Sequence, residues 1–485
     1  MSRNIEEKLL FELDSPGRRG ASLPDLDVPE VSFSKALGSL ARSQEPEALP
    51  ELSEVDVVRH FTRLSAYNYS VDFGLYPLGS CTMKYNPKIN EAVCRYEGLS
   101  GLHPLQDEAT AQGALEVMHT LQGALCAISG MDACTLQPAA GAHGEFTGMQ
   151  LIRAYHESRG NPRKVVLIPD SAHGTNPASA HFAGYAVEEF KSGADGCVDV
   201  EALKARMSED VAAIMLTVPN TLGIFEKNIK AVCEILHAKG GQVYVDGANL
   251  NALMGITRPG DWGADVMHIN LHKTFSTPHG GGGPGAGPVV CKAHLEPFLP
   301  VPVVVKKGER YAFDYQRPLT IGKVHCFYGN FLVLVRALAY IETMGNEGLK
   351  RASELAVLNA NYLRAKLKGK LELGFDGPTL HEVVFCDKGM PNGVTTMDIA
   401  KRLIDYGFHP PTVYFPLIVH GAIMIEPTET EPREEMDRFV NAVEAIVAEA
   451  RDNPDMVKKA PHNAFRKRLD EVAAARTPKL VWRKG

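Results

Sequence analysis

Asp246-Gly247-Ala248-Asn249, then Asn270-Leu271-His272-Lys273-Thr274-Phe275, then the glycine-rich run from Gly280 to Gly287, form the stretch on which the reading of this chain turns. The acid closes the β-rich run Val243-Tyr244-Val245, and Gly247 and Ala248 follow it with almost no bulk. The lysine comes just after a second such run, Val266-Met267-His268-Ile269, in a turn of small residues. An acid and a lysine delivered by two strand ends suit a cofactor that needs a covalent amine anchor and a charged partner. Pyridoxal phosphate has both needs: its aldehyde takes a lysine, and its ring nitrogen stays protonated beside an acid.

The same stretch sets the fold class. Helical spacing of apolar residues occupies 107–129, 145–158, 199–209 and 227–239. Between and after these lie Val165-Val166-Leu167-Ile168, Ile214-Met215-Leu216-Thr217-Val218, the two runs above, and Val289-Val290. Strand alternating with helix predicts an α/β fold, a mostly parallel sheet flanked by helices. Four strands end in polar residues, at Asp170-Ser171-Ala172-His173, Asn220-Thr221, Asp246 and Asn270. Ligands of open α/β sheets sit at that carboxyl edge, so these residues are expected around one crevice.

Each candidate has a stated chemistry. Lys273 as a Schiff-base residue must be partly desolvated, so that a neutral amine fraction exists near neutral pH; an isolated lysine is ordinarily a solvated surface residue. Asp246 meets a ring nitrogen in low dielectric, or else caps the next helix. Gly141-Ala142-His143-Gly144-Glu145 opens a helix whose first amides can seat a phosphate. No G-x-x-x-x-G-K-[ST] loop is present. His173 can lie on the face of a planar cofactor, with His143 as the competitor. His268 and His272 stand four apart but have no acidic third ligand at helical spacing, so no metal site is expected.

Outward from this core, residues 1–65 read as an N-terminal arm. Ser15-Pro16-Gly17, Leu23-Pro24, Glu45-Pro46 and Leu49-Pro50 interrupt it, while Phe11, Leu13 and Phe33 give it something to bury. Residues 66–328 form the large cofactor-binding domain, and within it Tyr76 to Pro87 is a loop carrying aromatics and Lys84. Residues 329–455 form a smaller α+β domain. It has helical patterns at 329–344, 347–368, 395–406 and 432–451, with strands at Val383-Val384-Phe385 and Ala422-Ile423-Met424-Ile425. Residues 456–485 are a basic tail, with Phe465-Arg466-Lys467-Arg468 and Val481-Trp482-Arg483-Lys484, read as solvated or facing a partner.

The totals exclude several classes. The 485 residues are 45% hydrophobic and 22% charged, enough for a sizeable core. A formal net charge of -7 argues against nucleic acid or an anionic membrane as partner. Nine cysteines without a Cys-x-x-Cys pair fit reduced thiols in a cytoplasmic setting. The start, Met1-Ser2-Arg3-Asn4-Ile5-Glu6-Glu7-Lys8, has neither a signal-peptide core nor transit-peptide composition. The most apolar stretch, Phe331 to Ile341, is short and interrupted by Arg336, so no membrane span is expected.

Longer motifs carry a resemblance. Phe11-Glu12-Leu13-Asp14-Ser15-Pro16-Gly17-Arg18-Arg19, Pro77-Leu78-Gly79-Ser80-Cys81-Thr82-Met83-Lys84 and Gln137-Pro138-Ala139-Ala140-Gly141-Ala142-His143-Gly144-Glu145 stand in order. The Asp170 to Ala180 stretch and the two Asp246 and Lys273 motifs follow them. With these the chain resembles, end to end, the glycine decarboxylase (P-protein) family of the glycine cleavage system. The likeness is to the second subunit of the form split into two chains. The resemblance implies an aspartate-aminotransferase-like, pyridoxal-phosphate-dependent transferase fold, with pyridoxal 5'-phosphate covalent on Lys273. It implies Asp246 at the pyridine nitrogen, His173 on the ring, Asn220 near the ring hydroxyl, and Gly141, Ala142 and His272 at the phosphate. Thr320 and Lys323 are expected to contribute from a neighbouring chain.

The implied reaction is decarboxylation of glycine, with the aminomethyl group passing to the lipoyl arm of a carrier, the H-protein, and CO2 released. The implied partners are glycine, the lipoylated H-protein and a homologous first subunit, in an α2β2 heterotetramer. Two alternatives stand beside it: another pyridoxal-phosphate enzyme of the same fold, such as an aminotransferase or amino-acid decarboxylase, and a non-catalytic homologous subunit.

Overall fold

The strand runs that flank Asp246 and Lys273 lie side by side at the centre of one sheet. The computed structural model describes residues 6–42 and 49–482. The opening Met1-Ser2-Arg3-Asn4-Ile5, the Glu45-Pro46 pair of the expected arm and Arg483-Lys484 of the expected tail therefore lie outside the described residues. The chain divides into two compact units, Val71–Lys458 and a second built from Met1–Ser70 with Lys459–Gly485.

In the larger unit seven strands form the main sheet: β1 (Ala133–Thr135), β2 (Val165–Pro169), β3 (Ala186–Phe190), β4 (Val211–Thr217), β5 (Gln242–Gly247), β6 (Val266–Ile269) and β7 (Val289–Cys291). Their order is β1-β7-β6-β5-β4-β2-β3. All neighbouring pairs from β3 to β6 are parallel, and β7 runs antiparallel to both β6 and β1. The parallel strands β2, β4, β5 and β6 thus end on one edge, as the sequence predicts.

Period-two alternation feeds two cores. Leu216, Val243, Val245, Met267 and Val290 face one side, with the helix Gln112–Ser129 and the start of Phe331–Leu367. Val166, Ala213, Met215, Tyr244 and Val266 face the other, with Met149, Leu151 and Ile152 of the helix Gly141–Ser158. A sheet buried on both faces reads as near-continuous apolar sequence, which is why these runs announced themselves. Gly144 and Gly148 let that second helix lie close on the sheet. A Cβ on Gly148 would stand 2.8 Å from the Tyr244 ring, and one on Gly144 2.8 Å from His268 Cβ.

Six strands escaped the periodicity: β1, β3, two that form a hairpin after β7, and the two-residue strands Glu372–Leu373 and Thr412–Val413 of the second sheet. β1 has three residues, and β3 is an edge strand bearing Glu188 and Glu189. A hairpin of β8 (Val303–Lys307) and β9 (Arg310–Asp314) is hidden by the charges around its Gly308 turn, φ 61°. Past it, the helix Phe331–Leu367 breaks at Gly345, whose φ of 58° separates the two helical patterns read from sequence. Strands β10 (Glu372–Leu373), β11 (Val383–Cys386), β12 (Thr412–Val413) and β13 (Ala422–Ile425) form an antiparallel sheet ordered β10-β11-β13-β12. Phe385, Ile423 and Ile425 pack there with Leu363, Leu403 and Phe439 from the helices Phe331–Leu367, Thr396–Asp405 and Arg433–Asp452.

The smaller unit joins arm and tail. Phe11 stacks on Trp482 with centroids 4.8 Å apart, and Tyr67 on Phe465 at 4.2 Å. Its helix Glu54–Ser65 carries a Ser53/Asp56 capping box, and Glu7 accepts from Arg63 at 2.6 Å. Among the described residues no helix is long and apolar enough to cross a membrane.

Candidate active site

Asp246 sits near the end of β5, 1% exposed, and every atom of its carboxylate is held. Oδ2 accepts from Asn176 Nδ2 at 3.0 Å, and Oδ1 accepts from the Ala248 amide at 2.9 Å. His268, its partner across the β5–β6 ladder, places Nε2 3.5 Å from Oδ1. Burial pushes this carboxyl up, but His268, His173, the Ala248 N–H and Lys273 together hold it below its ordinary value. Asp246 is thus a fixed buried negative charge.

Lys273 lies in the short helix Leu271–Thr274 directly after β6 and is 8% exposed. Its Nζ donates to the Ser80 carbonyl at 2.9 Å. The Tyr76 to Pro87 loop is therefore the lysine's direct neighbour. The loop is fastened by Lys84, fully buried, whose Nζ donates to Glu429 at 2.7 Å, Asn251 at 2.9 Å and Tyr340 at 3.1 Å. Charge on Lys273 is among the influences on Asp246, His173, His272, Cys81, Glu382 and Glu426.

His173 follows β2 and its backbone N–H donates to Thr217 Oγ1 at 2.8 Å. Its Nδ1 stands 2.9 Å from Thr175 Oγ1, whose hydroxyl in turn donates to the buried Glu145 at 2.5 Å. One ligating atom each of Glu145, His173 and Asp246 lies within 4.8 Å of the others. Burial lowers the His173 pKa, leaving a neutral imidazole beside the carboxylate. His143 instead accepts from the Ala139 amide at 3.2 Å and stacks towards His325 at 6.2 Å. Of the two histidines, the structure brings His173 to Asp246.

At the other end of the crevice, Gly141 and Ala142 open the helix Gly141–Ser158, whose Ala140 cap offers no side-chain acceptor. Amides of a helix's first turn have no intrahelical partner and favour an anion. His272 is half-buried, and desolvation with the neighbouring Lys273 pushes its pKa down to about 3. The hydroxyls of Thr274 and Thr277 and the Nδ1 of His279 are buried without a partner among the described residues. These orphaned groups and the bare helix start, set around a buried acid and a buried lysine, fit pyridoxal phosphate.

Two predicted residues have other engagements. Asn220 holds its own turn: Oδ1 accepts from the Leu222 amide at 3.0 Å and the Ile224 amide at 3.2 Å, while Nδ2 donates to Gly196 O at 2.8 Å. Thr320 donates to the Leu299 carbonyl at 2.6 Å and accepts from Gly322, and the structure does not bring it to the residues above.

Sequence reasoning missed Glu145, Asn176 and His268. His268 was weighed only as a metal ligand four residues from His272. Its real signal was phase: two residues before Asn270 in the strand beside Asp246, it must face the same side. Tyr244 Oη lies 2.5 Å from its Nδ1 and Asn270 Oδ1 2.8 Å from its Nε2, which fixes the ring. Burial, with Glu145 and Asp246 nearby, keeps the Tyr244 phenol well above its ordinary pKa, so it remains a donor.

Comparison with known proteins follows the same lines. Residues 27–309 match the family model of the glycine cleavage system P-protein, and residues 352–468 that of the glycine dehydrogenase C-terminal domain. The chain is 58% identical, over 98% of its length and 99% of the relative's, to a probable glycine dehydrogenase (decarboxylating) subunit 2 of Caldanaerobacter subterraneus. It is 56% identical to the protein of the same name from Listeria welshimeri, covering 99% of each chain. A crystal structure of glycine decarboxylase (P-protein) in inhibitor-bound form superposes with a TM-score of 0.71 at 19% identity, covering 85% of this chain and 93% of that one. An aspartate aminotransferase from Thermus thermophilus superposes with a TM-score of 0.58 at 15% identity, covering 77% and 99%.

Proposed function

This chain belongs to the glycine cleavage system P-protein family, and from that premise we propose that it is the lysine-bearing subunit that decarboxylates glycine with pyridoxal phosphate. The observation that carries the reading is that buried Asp246 and buried Lys273 come from the carboxyl ends of the adjacent parallel strands β5 and β6. Relatives named as a second subunit support a companion chain, which we take to be homologous and assembled as α2β2. The accepting carrier in this reading is the lipoyl arm of the H-protein, and the setting is the cytoplasm.

Lys273 would hold the cofactor covalently, Asp246 its ring nitrogen, His173 its face, and Gly141, Ala142 and His272 its phosphate. When bound, pyridoxal phosphate supplies an aldehyde carbon for the amine and a protonated ring that accepts the electron pair left by CO2. The rest falls to the chain. Asp246 keeps its negative charge because His268 and Asn176 hold it, and a negative charge there holds a proton on whatever nitrogen faces it. His173, neutral, offers a flat face without competing charge. Asn220 keeps the turn after β4 closed, and Ser80 O would hold the lysine amine whenever it is released from the cofactor. Low dielectric around these groups strengthens each of these interactions.

The test is release of labelled CO2 from carboxyl-labelled glycine. Release that requires both pyridoxal phosphate and lipoylated carrier supports the proposal. Transamination, or release from larger amino acids without carrier, overturns it in favour of another enzyme of the same fold.

A further inference from the structure

Near Lys273, across the loop that carries Ser80, a second group of buried titratable residues has no part in the account above. Glu382 and His381 stand at the entry to β11, and Glu426 follows β13; all three are fully buried. The loop that touches Lys273 also holds both carboxyl groups. The Ser80 amide donates to Glu382 Oε2 at 2.6 Å, while the carbonyl of the same residue accepts from Lys273 Nζ at 2.9 Å. Ser80 does this with a φ of 60°, a conformation that non-glycine residues seldom adopt. Two residues on, Thr82 Oγ1 donates to Glu426 Oε1 at 2.5 Å.

Each carboxyl group therefore has one oxygen fastened to the loop and one left over. Glu382 Oε1 and Glu426 Oε2 have no hydrogen-bond partner among the described residues, and neither has either ring nitrogen of His381. One nitrogen of His381 and one oxygen from each glutamate lie within 4.8 Å of one another. Two ionised carboxylates this close and this dry would repel strongly, and each free oxygen would lack a donor. A single proton between them removes both difficulties, as in other closely spaced carboxyl pairs.

The surrounding groups agree. His381 is not the counter-charge, since burial pushes its pKa down to about 3. Burial and the neighbouring Glu426 hold Glu382 well above the ordinary carboxyl range, and burial raises Glu426 to about 7. The other titratable groups acting on the pair are Lys273, Lys84 and Glu429, with Cys81 beside Lys273.

We propose that Glu382 and Glu426 retain a shared proton at neutral pH and exchange it with the Nζ of Lys273, so that the pair is the lysine's proton store. In the exchange one carboxyl O–H bond breaks and one N–H bond forms: a neutral amine and a carboxyl become an ammonium and a carboxylate, with no net change of charge. Glu382 and Glu426 are positioning residues in this role, acting through Lys273. The shared proton stands without the cofactor; its use by Lys273 rests on the reading of Lys273 as the cofactor's anchor.

Infrared titration of the full chain without cofactor tests the pair. The wild type, measured against the E382Q/E426Q double variant, is expected to retain a protonated-carboxyl band above neutral pH. In E426Q, loss of the like charge should lower the band's midpoint by about 1 pH unit or more. No such band in the wild type, an unmoved midpoint in E426Q, or a tightly bound stoichiometric divalent cation at the cluster would each overturn the shared proton. Acetic-anhydride labelling of Lys273 across pH tests the exchange. In the double variant the lysine midpoint should fall by about 1 unit, because nearby negative charge is gone, while that of exposed Lys350 stays in place. An unchanged Lys273 profile overturns the proton-store role. Should the double variant not fold, the wild-type and E426Q titrations still decide the pair. All these readouts are made without cofactor, so they fail independently of the proposed reaction.

Discussion

Asp246 and His268 are register partners in adjacent parallel strands, and their side chains meet with Oδ1 and Nε2 3.5 Å apart at 1% exposure each. The relationship helps explain how an acid can stay ionised at the centre of a sheet: burial alone would neutralise it, and His268, with His173, the Ala248 amide and Lys273, reverses that.

Asp246→Asn preserves shape and removes the charge. Glycine decarboxylation measured with saturating pyridoxal phosphate is expected to fall by about 10²–10³-fold or more, as for other preorganised charges in dry sites. Activity within a few-fold of wild type would remove Asp246 from the reaction.

Tyr244→Phe leaves His268 Nδ1 without its phenol partner in a fully buried place. Urea denaturation should show a loss of about 1–3 kcal/mol, the cost of an unsatisfied buried polar atom. A loss near zero would mean that the histidine is held by Asn270 alone.

Lys84 is the buried cation that ties the Ser80 loop to Glu429, Asn251 and Tyr340. Lys84→Met strands Glu429 and is expected to destabilise by about 3–5 kcal/mol. The paired change Lys84→Met with Glu429→Gln should recover much of that loss, as read by a double-mutant cycle.

Glu431 gives the pH dependence a definite sign. Burial, with Glu435 nearby, raises its carboxyl from 4.5 to about 7 in the folded chain. Between those values the native state binds more protons than the unfolded one, so this group's contribution is complete below the unfolded pKa and is lost as pH rises through the folded one. Glu431→Gln should therefore match the wild type near pH 4.5 and exceed it in stability above pH 7. Equal stability at both ends would contradict the shift.

Much of this was legible in the sequence, for identifiable reasons. β2, β4, β5 and β6 are buried on both faces and read as apolar runs, and their polar carboxyl ends marked the crevice. The motifs around Asp246 and Lys273 named the chemistry because so few side chains serve that cofactor. What stayed hidden depended on contacts between distant segments. Nothing local in Ser80-Cys81-Thr82 says that its carbonyl will meet Lys273 from 193 residues away, or its amide Glu382 from 302. Glu382 and Glu426 flank the small domain's strands, one just before β11 and one just after β13, and an acid at a strand end ordinarily faces water. Glu145 looked like a helix residue of the phosphate turn, and only packing of that helix on β5 and β6 turns it towards Thr175 and Ser179.

The most direct measurement is borohydride reduction of the chain assembled with its companion subunit and pyridoxal phosphate, followed by peptide mass analysis. The account predicts the cofactor's mass on the peptide carrying Lys273, with decarboxylation lost in proportion. Cofactor fixed to another lysine, or an unmodified Lys273 peptide from active protein, would contradict it.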